Sequence, residues 1–569
     1  VGRLCFSRDG KRLLGSTREG PIRLWDLEGN LIRSYTGHSD WVYNAVFSPD
    51  GKYIVSGSRD ASARLWNAES AKSAALVSSG SEWILFTPDG YFDCSRNGGE
   101  LVRMVRGVTC YSVDQFAVRN NRPDLILKET GSDDRALMEH YRSQYLKRLR
   151  KSGFKEAGLG GDFHVPRAGI TAFRQDGKKV ELSFTLEDAL YNLKNYNIYV
   201  NDVPIFGAYG RPVNGKSLSL TENVELTGGR NKLEVSCINE RGAESYRALA
   251  FADYAGPARG DLYYLGFGVS KYQDKTLNLK YADKDAQDLA SLFSRMKGPF
   301  NEVHAKTYCN EEVTIRNIKQ AGEFLKNARP DDTFVLFIAG HGVHDLDRES
   351  TYYYLTCDTS LNRLSSTAAD FELIESLLQG IEPRNKLFLM DTCESGEAEE
   401  GSEFAAVPGS SGSRGLKSRS ARDIRIKLKK EEGGAPDQSV SRSFLEEKER
   451  FIYNDLLRRS GAIVFSSCRG GESSFENDEI QNGLFTEDLI KALTTGTREA
   501  DRNGDGIIST DELRVIVSEA VSRDSNDLQH PTVDRDNIYQ KFGFPLVRSA
   551  SEQEIRPERR EIPRRTRRN

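Results

Sequence analysis

A five-residue phrase occurs three times near the start of this chain, as Phe6-Ser-Arg-Asp-Gly10, Phe47-Ser-Pro-Asp-Gly51 and Phe86-Thr-Pro-Asp-Gly90, at spacings of 41 and then 39 residues. Leu24-Trp25-Asp26 returns as Leu65-Trp66-Asn67, again 41 residues on. A fixed period of this length restricts the fold more than any other feature, because each unit must be one small sheet that buries its faces only by stacking on its neighbours. Two units and part of a third cannot close a ring of about four to eight blades. Residues 1–111 are therefore expected to form a partial β-propeller. Because Val1 stands inside a unit with no Met before it, further blades are expected upstream.

Three other textures follow. Arg122-Pro123-Asp124 breaks the chain, and Leu137, Tyr141, Tyr145 and Leu149 then recur at helical spacing, so residues 112–160 read as a helical connector. Residues 161–257 change to short alternating strands such as Val180–Phe184, Tyr196–Val200 and Lys232–Ser236. Asp-Gly, Asn-Gly and Gly-Gly turns separate them, the pattern of a small Ig-like β-sandwich. From 258 to 546 apolar strands alternate with helices: Leu262–Val269, a helix over Lys284–Met296, Phe334–Ala339, a helix over Phe371–Leu378, Leu387–Met390 and Ala462–Phe465. That alternation predicts an α/β sheet with helices on its faces. Within it, residues 397–450 are rich in Gly, Ser and charge and read as a flexible insertion, and the basic tail 547–569 is expected to be disordered.

Charge narrows the partners. Lys plus Arg (80) against Asp plus Glu (84) leaves a net charge of −4, which gives no global attraction to nucleic acid or to an anionic membrane. No apolar run approaches the ~20 residues of a membrane helix. Eight Cys without a C-x-x-C pair suit a reducing, cytoplasmic compartment rather than a disulfide scaffold.

Two strand ends carry chemistry. Phe334-Val-Leu-Phe-Ile-Ala-Gly340-His341-Gly342 ends in an imidazole between glycines, and Leu387-Phe-Leu-Met-Asp391-Thr-Cys393 ends in a thiol 52 residues later. Reactive groups of an open α/β sheet collect beyond the carboxyl ends of its strands. If the two strands are neighbours, His341 can take the thiol proton of Cys393 or pair with its thiolate, which makes a nucleophile and its base. The glycines let backbone approach a substrate carbonyl, so the N–H groups of Gly342 and Cys393 are the expected oxyanion donors. The competing reading is a buried thiol and a turn-capping imidazole. His344, Cys357 and Cys468 have no defined partners and read as surface or packing residues, and no Cys/His set has the ligand spacing of zinc.

Gly340-His341-Gly342 with Asp391-x-Cys393-x-Ser395-Gly396 resembles the caspase-like cysteine peptidases, particularly the metacaspases. Leu279-Lys-Tyr-Ala-Asp-Lys-Asp285-Ala286, Ile463-Val-Phe-Ser-Ser-Cys-Arg-Gly-Gly-Glu472 and Gly483-Leu-Phe485-Thr486 are similar to further motifs of that family. Glu394 departs from it, standing where many metacaspases have His. In the first hundred residues, Thr36-Gly37-His38 with Ser58, Asp60 and Trp66 resembles a WD40 blade with its buried polar chain, so His38 is expected to be structural. Bacterial members of the peptidase family often carry WD40 repeats, and the resemblance implies a bacterial chain active in stress, defence or cell death.

Period-two geometry puts Asp391 on the same strand face as Cys393, close to the pocket for the residue before the scissile bond. A carboxylate there favours Arg or Lys over the Asp that caspases proper select. In the Arg/Lys-directed members of the family, acids matching Asp285, Asp391 and, more loosely, Glu472 line that pocket; solvated charge is the rival reading for Asp285 and Glu472. Arg414, Lys417, Arg419 and Arg422 lie in the insertion, where the family places activating cleavages, so a zymogen is expected, with plain linker charge as the alternative.

Asp501-Arg-Asn503-Gly-Asp505-Gly506-Ile507-Ile-Ser509-Thr-Asp-Glu512 fits the twelve-residue EF-hand loop. Side chains of Asp501, Asn503, Asp505, Ser509 and Glu512 with the Ile507 carbonyl supply the oxygens Ca²⁺ requires, against the rival of a metal-free turn. The peptide chemistry itself requires no cofactor. The sequence thus predicts a multidomain protein: partial WD40 β-propeller, β-sandwich and α/β caspase-like domain. The expected activity is cleavage of protein or peptide substrates after Arg or Lys, with a protein partner on the WD40 region and no nucleic acid or membrane. The alternative is a pseudopeptidase scaffold whose modules only bind.

Overall fold

The structure is a computed structural model that describes residues 2–80, 82–95, 98–256, 259–296, 300–344, 351–392, 416–418, 450–451, 460–468, 472–494, 500–535 and 542–547. Among these, no helix is long and apolar enough to cross a membrane.

The repeats form antiparallel sheets. Leu4–Phe6, Arg12–Gly15, Ile22–Asp26 and Leu31–Tyr35 make one four-stranded unit in sequential order. The second unit, Val42–Phe47 to Ser73–Ser79, continues without a break into Glu82–Phe86 and Phe92–Ser95. The tight turn at Gly80, with φ +62°, returns the chain along the edge of Ser73–Ser79, so the third phrase extends the second sheet. The His38 network is buried, with one change from the expected set. His38 meets Asp60 Oδ2 and Ser56 Oγ, each at 2.8 Å, and Trp66 Nε1 donates to Ser56 Oγ at 2.8 Å. Ser58 shares the strand face of Ser56 but donates to the carbonyls of Asp40 and Trp41 instead.

Helices Pro123–Thr130 and Arg135–Lys151 follow, the second burying Leu137, Tyr141, Tyr145 and Leu149. Two sheets then enclose one apolar cluster, with Arg167–Asp176, Lys179–Glu187 and Ser217–Glu225 facing Leu193–Val200, Gly229–Asn239 and Ala248–Tyr254.

Strands and helices after residue 260 are numbered in chain order. The central sheet contains β1 (Leu262–Gly268), β2 (Val303–Cys309), β3 (Thr333–Gly340), β6 (Asn385–Thr392), β8 (Ile463–Ser466) and β12 (Thr532–Arg535), in the order β2-β1-β3-β6-β8-β12. All pairs are parallel except β8 with β12. Its strands are apolar on both sides because each face is covered. Leu265, Phe267, Leu336, Ile338 and Phe388 join one cluster, while Tyr264, Val335, Phe337, Leu387 and Leu389 join another with α1 (Ala282–Ser294) and α2 (Leu484–Thr494). Short strands stand at the carboxyl end: β4 (Gly342–His344) pairs with β5 (Tyr352–Tyr354), and β7 (Leu416–Ser418), β9 (Phe475–Asn477) and β10 (Asn482–Gly483) form a ribbon of their own. Farther along the insertion, Arg450–Phe451 pairs with Cys94–Ser95 of the repeat sheet.

Candidate active site

His341 is the first residue beyond β3, and its setting is rigid. Gly340 has φ +143°, a backbone conformation that side-chain-bearing residues rarely adopt, and a Cβ there would stand 2.9 Å from the Tyr272 hydroxyl. That hydroxyl accepts the His341 backbone N–H at 3.0 Å. His341 Nε2 lies 2.8 Å from the Leu277 carbonyl. A carbonyl only accepts, so Nε2 carries the hydrogen and Nδ1 is the nitrogen that can take a proton.

β3 and β6 are direct neighbours, and Gly340 stands opposite Thr392. One residue on from that pair lie His341 and Cys393 in the sequence; Cys393 is outside the described residues, as is Glu394. The approach to it is well fixed. Tyr352 Oη and Thr392 Oγ1 are 2.6 Å apart, and the Thr392 carbonyl accepts from Ser467 Oγ at 3.3 Å and Cys468 Sγ at 3.6 Å. Gly342, one of the two expected oxyanion donors, lies on β4 opposite Tyr354, and the Tyr352 phenol fills the space a side chain would need.

Asp391 shares its strand face with Leu387 and Leu389, toward α1 and α2. It has no solvent exposure and accepts from Ser474 Oγ at 2.7 Å and Thr486 Oγ1 at 2.8 Å. Asp285, in the first turn of α1, accepts the Gly483 N–H at 2.9 Å and is equally buried. Glu476 is a further buried acid of this region. It stands opposite Gly483 in the ribbon, is buried, and accepts the N–H groups of Lys280 and Tyr281 at 3.1 and 3.0 Å, just ahead of α1.

Glu472 is directed elsewhere. His530 draws it away: the His530 backbone N–H donates to Oε2 at 2.8 Å, and ring Nδ1 lies 2.8 Å from Oε1. Glu472 and Ser474 precede β9, and Glu476 is its middle residue.

Of the basic residues in the insertion, Arg414, Arg419 and Arg422 lie outside the described residues, and Lys417 stands in β7 opposite Glu476. The His344 side chain is also outside them. Cys357 is a packing residue whose burial pushes its thiol up to about 11, and Cys468 is buried beneath Thr392.

Residues 501–512 form a tight loop after α2 that runs into the first turn of α3 (Thr510–Asp524). Asp501 accepts the N–H groups of Gly504, Asp505 and Gly506; Asn503 accepts that of Asp505, and Asp505 that of Ile507. Glu512 accepts from the N–H groups of Arg502, Asn503 and Ser509 and from the Ser509 hydroxyl. Partial burial pushes the Glu512 carboxyl up, but these donors outweigh it and hold it below the usual value. β11 (Ile507–Ser509) pairs with β13 (Gly543–Pro545), seating Ile508 and Phe544 in the core beside α1. The donor types suit Ca²⁺, yet among the described residues no three His, Cys, Asp or Glu side chains stand close enough together to hold a metal.

Comparison with known proteins identifies two domains. Residues 29–67 match the model of the WD domain G-beta repeat, and residues 265–542 match that of the caspase domain. No curated protein matches the sequence. Among solved structures, the crystal structure of the WD40 beta propeller domain of Doa1 is 24% identical over 15% of this chain and 33% of that one, with a TM-score of 0.13. The chain thus spans about a third of that domain's length. This chain is a caspase-domain protein with a WD repeat near its N-terminus.

Proposed function

We propose that the caspase domain is a cysteine endopeptidase that cuts proteins after Arg or Lys. The Cys393 sulfur attacks the scissile carbonyl while His341 Nδ1 takes the thiol proton and later returns it to the leaving amine. One observation carries this reading: Gly340 stands opposite Thr392 on adjacent parallel strands, so the two reactive residues follow a paired position, with the imidazole already committed to one tautomer by Leu277. The N–H groups of Gly342 and Cys393 are the donors for the oxyanion, each worth about 2.7 to 4 kcal/mol of transition-state stabilisation. Asp285 and Asp391 are the carboxylates read as selecting a cationic side chain, with Glu476 as a further buried acid in place of Glu472.

Three finer readings accompany it. The insertion 397–450 is the activation segment of a zymogen. The loop 501–512 binds Ca²⁺ through Asp501, Asn503, Asp505, Ile507, Ser509 and Glu512, a reading supported by donor order alone. The WD region engages a protein partner, and the chain acts in the cytoplasm of a bacterium.

Turnover of fluorogenic peptides with Arg, Lys or Asp before the amide, with and without Ca²⁺, tests the reading. Arg and Lys substrates should be cut and Asp substrates spared, and Cys393→Ala should abolish the activity. Absence of turnover, with no selective reaction of Cys393 toward an arginyl electrophile, leaves the pseudopeptidase scaffold in its place.

A further inference from the structure

Gln529 has no solvent exposure, and both polar atoms of its side-chain amide are bonded. It lies in the turn between α3 and β12, where Asn526 and Asp527 take φ +54° and +64°, and its backbone N–H donates to the buried Ser525 hydroxyl at 3.0 Å. The neighbours fix which way the amide points. The Phe475 N–H only donates, so Oε1 faces it at 3.0 Å; the Ser467 carbonyl only accepts, so Nε2 faces it at 2.8 Å. Nε2 also reaches Ser474 Oγ at 3.4 Å. Ser474 has one hydroxyl hydrogen, and it goes to Asp391 Oδ1 at 2.7 Å, so this serine meets Gln529 as an acceptor.

The anchor of the amide belongs to the same strand end that it serves. Ser467 donates its N–H to the Met390 carbonyl at 2.8 Å and its hydroxyl to the Thr392 carbonyl at 3.3 Å, so it is fixed to β6 on both sides of Asp391. Gln529 reaches from that anchor to the residues entering β9 and sets the distance between them. His530 holds the start of the same segment, its backbone N–H donating to Glu472 Oε2 at 2.8 Å. We propose that Gln529 is a positioning residue for cation selection: it presents Ser474 to Asp391 as a donor and so fixes the carboxylate that meets the Arg or Lys side chain of a substrate. Groups that bind must be held within about 0.5 Å by the residues behind them, and a misplacement of about 1 Å costs about a hundredfold.

This inference rests on the reading of Asp391 as selecting a cation, and the test separates the two. The full-length Cys393→Ala chain lacks the nucleophile and should bind peptides without cutting them. Calorimetry with an arginyl peptide and with its citrullinyl counterpart, which has the same shape without the charge, gives its preference for arginine. Equal affinities, or binding of neither peptide, remove the cation-selecting pocket and this inference with it. Adding Gln529→Met, which keeps the length and removes both hydrogen-bonding atoms, should shrink the preference by about 10- to 100-fold and leave the citrullinyl affinity nearly as it was. An unchanged preference overturns the positioning role, and so does an equal loss for both peptides. Gln529→Glu is the second variant, should the methionine fail to fold. It retains an acceptor for Phe475, but its other oxygen competes with Asp391 for the Ser474 hydrogen, so the preference should shrink again; a retained preference overturns the proposal. Because both residues act on one contact, Gln529→Met with Ser474→Ala should lose no more than the larger single loss, and losses that multiply overturn the route through Ser474. With Cys393 present, iodoacetamide, a small neutral reagent that needs no cation pocket, should alkylate it equally fast in Gln529→Met and wild type. A fall parallel to the arginine preference overturns the assignment.

Discussion

Gly342→Ala is the substitution whose cost follows most directly from the geometry. A methyl at Gly342 would lie 2.1 Å from the Tyr352 hydroxyl oxygen and 2.6 and 2.7 Å from two of its ring carbons. Ordinary carbon contacts are about 3.5 to 4.0 Å, so the phenol must retreat by about 1 Å or more. It has little room, because its ring packs edge-on against Phe371 at 5.7 Å and its hydroxyl is bonded to Thr392 Oγ1 at 2.6 Å. Overpacking costs about 1 to 3 kcal/mol, and the lost hydrogen bond about 0.5 to 1.5. The stiffer unfolded chain returns about 0.4 to 1 kcal/mol. The net expectation is a loss of about 0.5 to 4 kcal/mol, which lowers the melting temperature of a domain this size by about 2 to 4 °C per kcal/mol. Thermal unfolding of the full chain, followed at the caspase-domain transition, measures it. The clash can be isolated by repeating the substitution in Tyr352→Ala, where these three contacts are gone and its cost should fall. An equal cost in both backgrounds refutes the packing argument.

Glu476→Gln should lower kcat/KM for an arginyl peptide by about 10- to 150-fold, the worth of a charge-assisted hydrogen bond. Glu472→Gln, at a partly exposed pair with His530, should change it by less than about fivefold; steady-state kinetics of the two variants decides which acid belongs to the pocket. Burial pushes the Asp488 carboxyl up to about 6 from an ordinary 3.8. The folded chain therefore binds that proton more tightly than the unfolded one, and stability falls as pH rises through this window, by about 3 kcal/mol. Asp488→Asn should accordingly gain stability relative to wild type between about pH 4 and pH 7 in urea melts, and a constant difference would contradict this. Saturating Ca²⁺ should stabilise the chain by about 2.7 kcal/mol at a hundredfold excess over its Kd. Glu512→Gln should abolish that gain, and calorimetry showing no shift in wild type leaves a metal-free turn.

The sequence pattern foretold strands well where apolar residues fill them and poorly where polar groups end them. Leu387–Met390 was expected from hydropathy, but the strand runs Asn385–Thr392. Lys386 is fully buried there because its Nζ donates to the carbonyls of Leu378 and Ser460, a pairing that a hydropathy pattern does not contain. The antiparallel edge Thr532–Arg535 was invisible for the same reason, being polar and short. At the candidate site, the placement of His341 beyond β3 and of Asp391 on the face of Leu387 and Leu389 could be read from strand ends and period two. Glu476 could not, since choosing it over Glu472 depends on where β9 begins and on His530, which lies 58 residues beyond Glu472. The repeat period gave the blade strands, yet Ser56 rather than Ser58 meets His38, a choice fixed by how far the imidazole reaches along one strand face.

The pairing of thiol and imidazole is tested most directly by the rate at which an arginyl chloromethyl ketone alkylates Cys393 across pH, in wild type and in His341→Ala. A functioning pair predicts modification of Cys393 ahead of the exposed Cys110, with a midpoint below the ~8.5 of a free thiol. Loss of the imidazole should slow the reaction by about a hundredfold or more. Equal rates and equal midpoints in the two proteins would contradict the account.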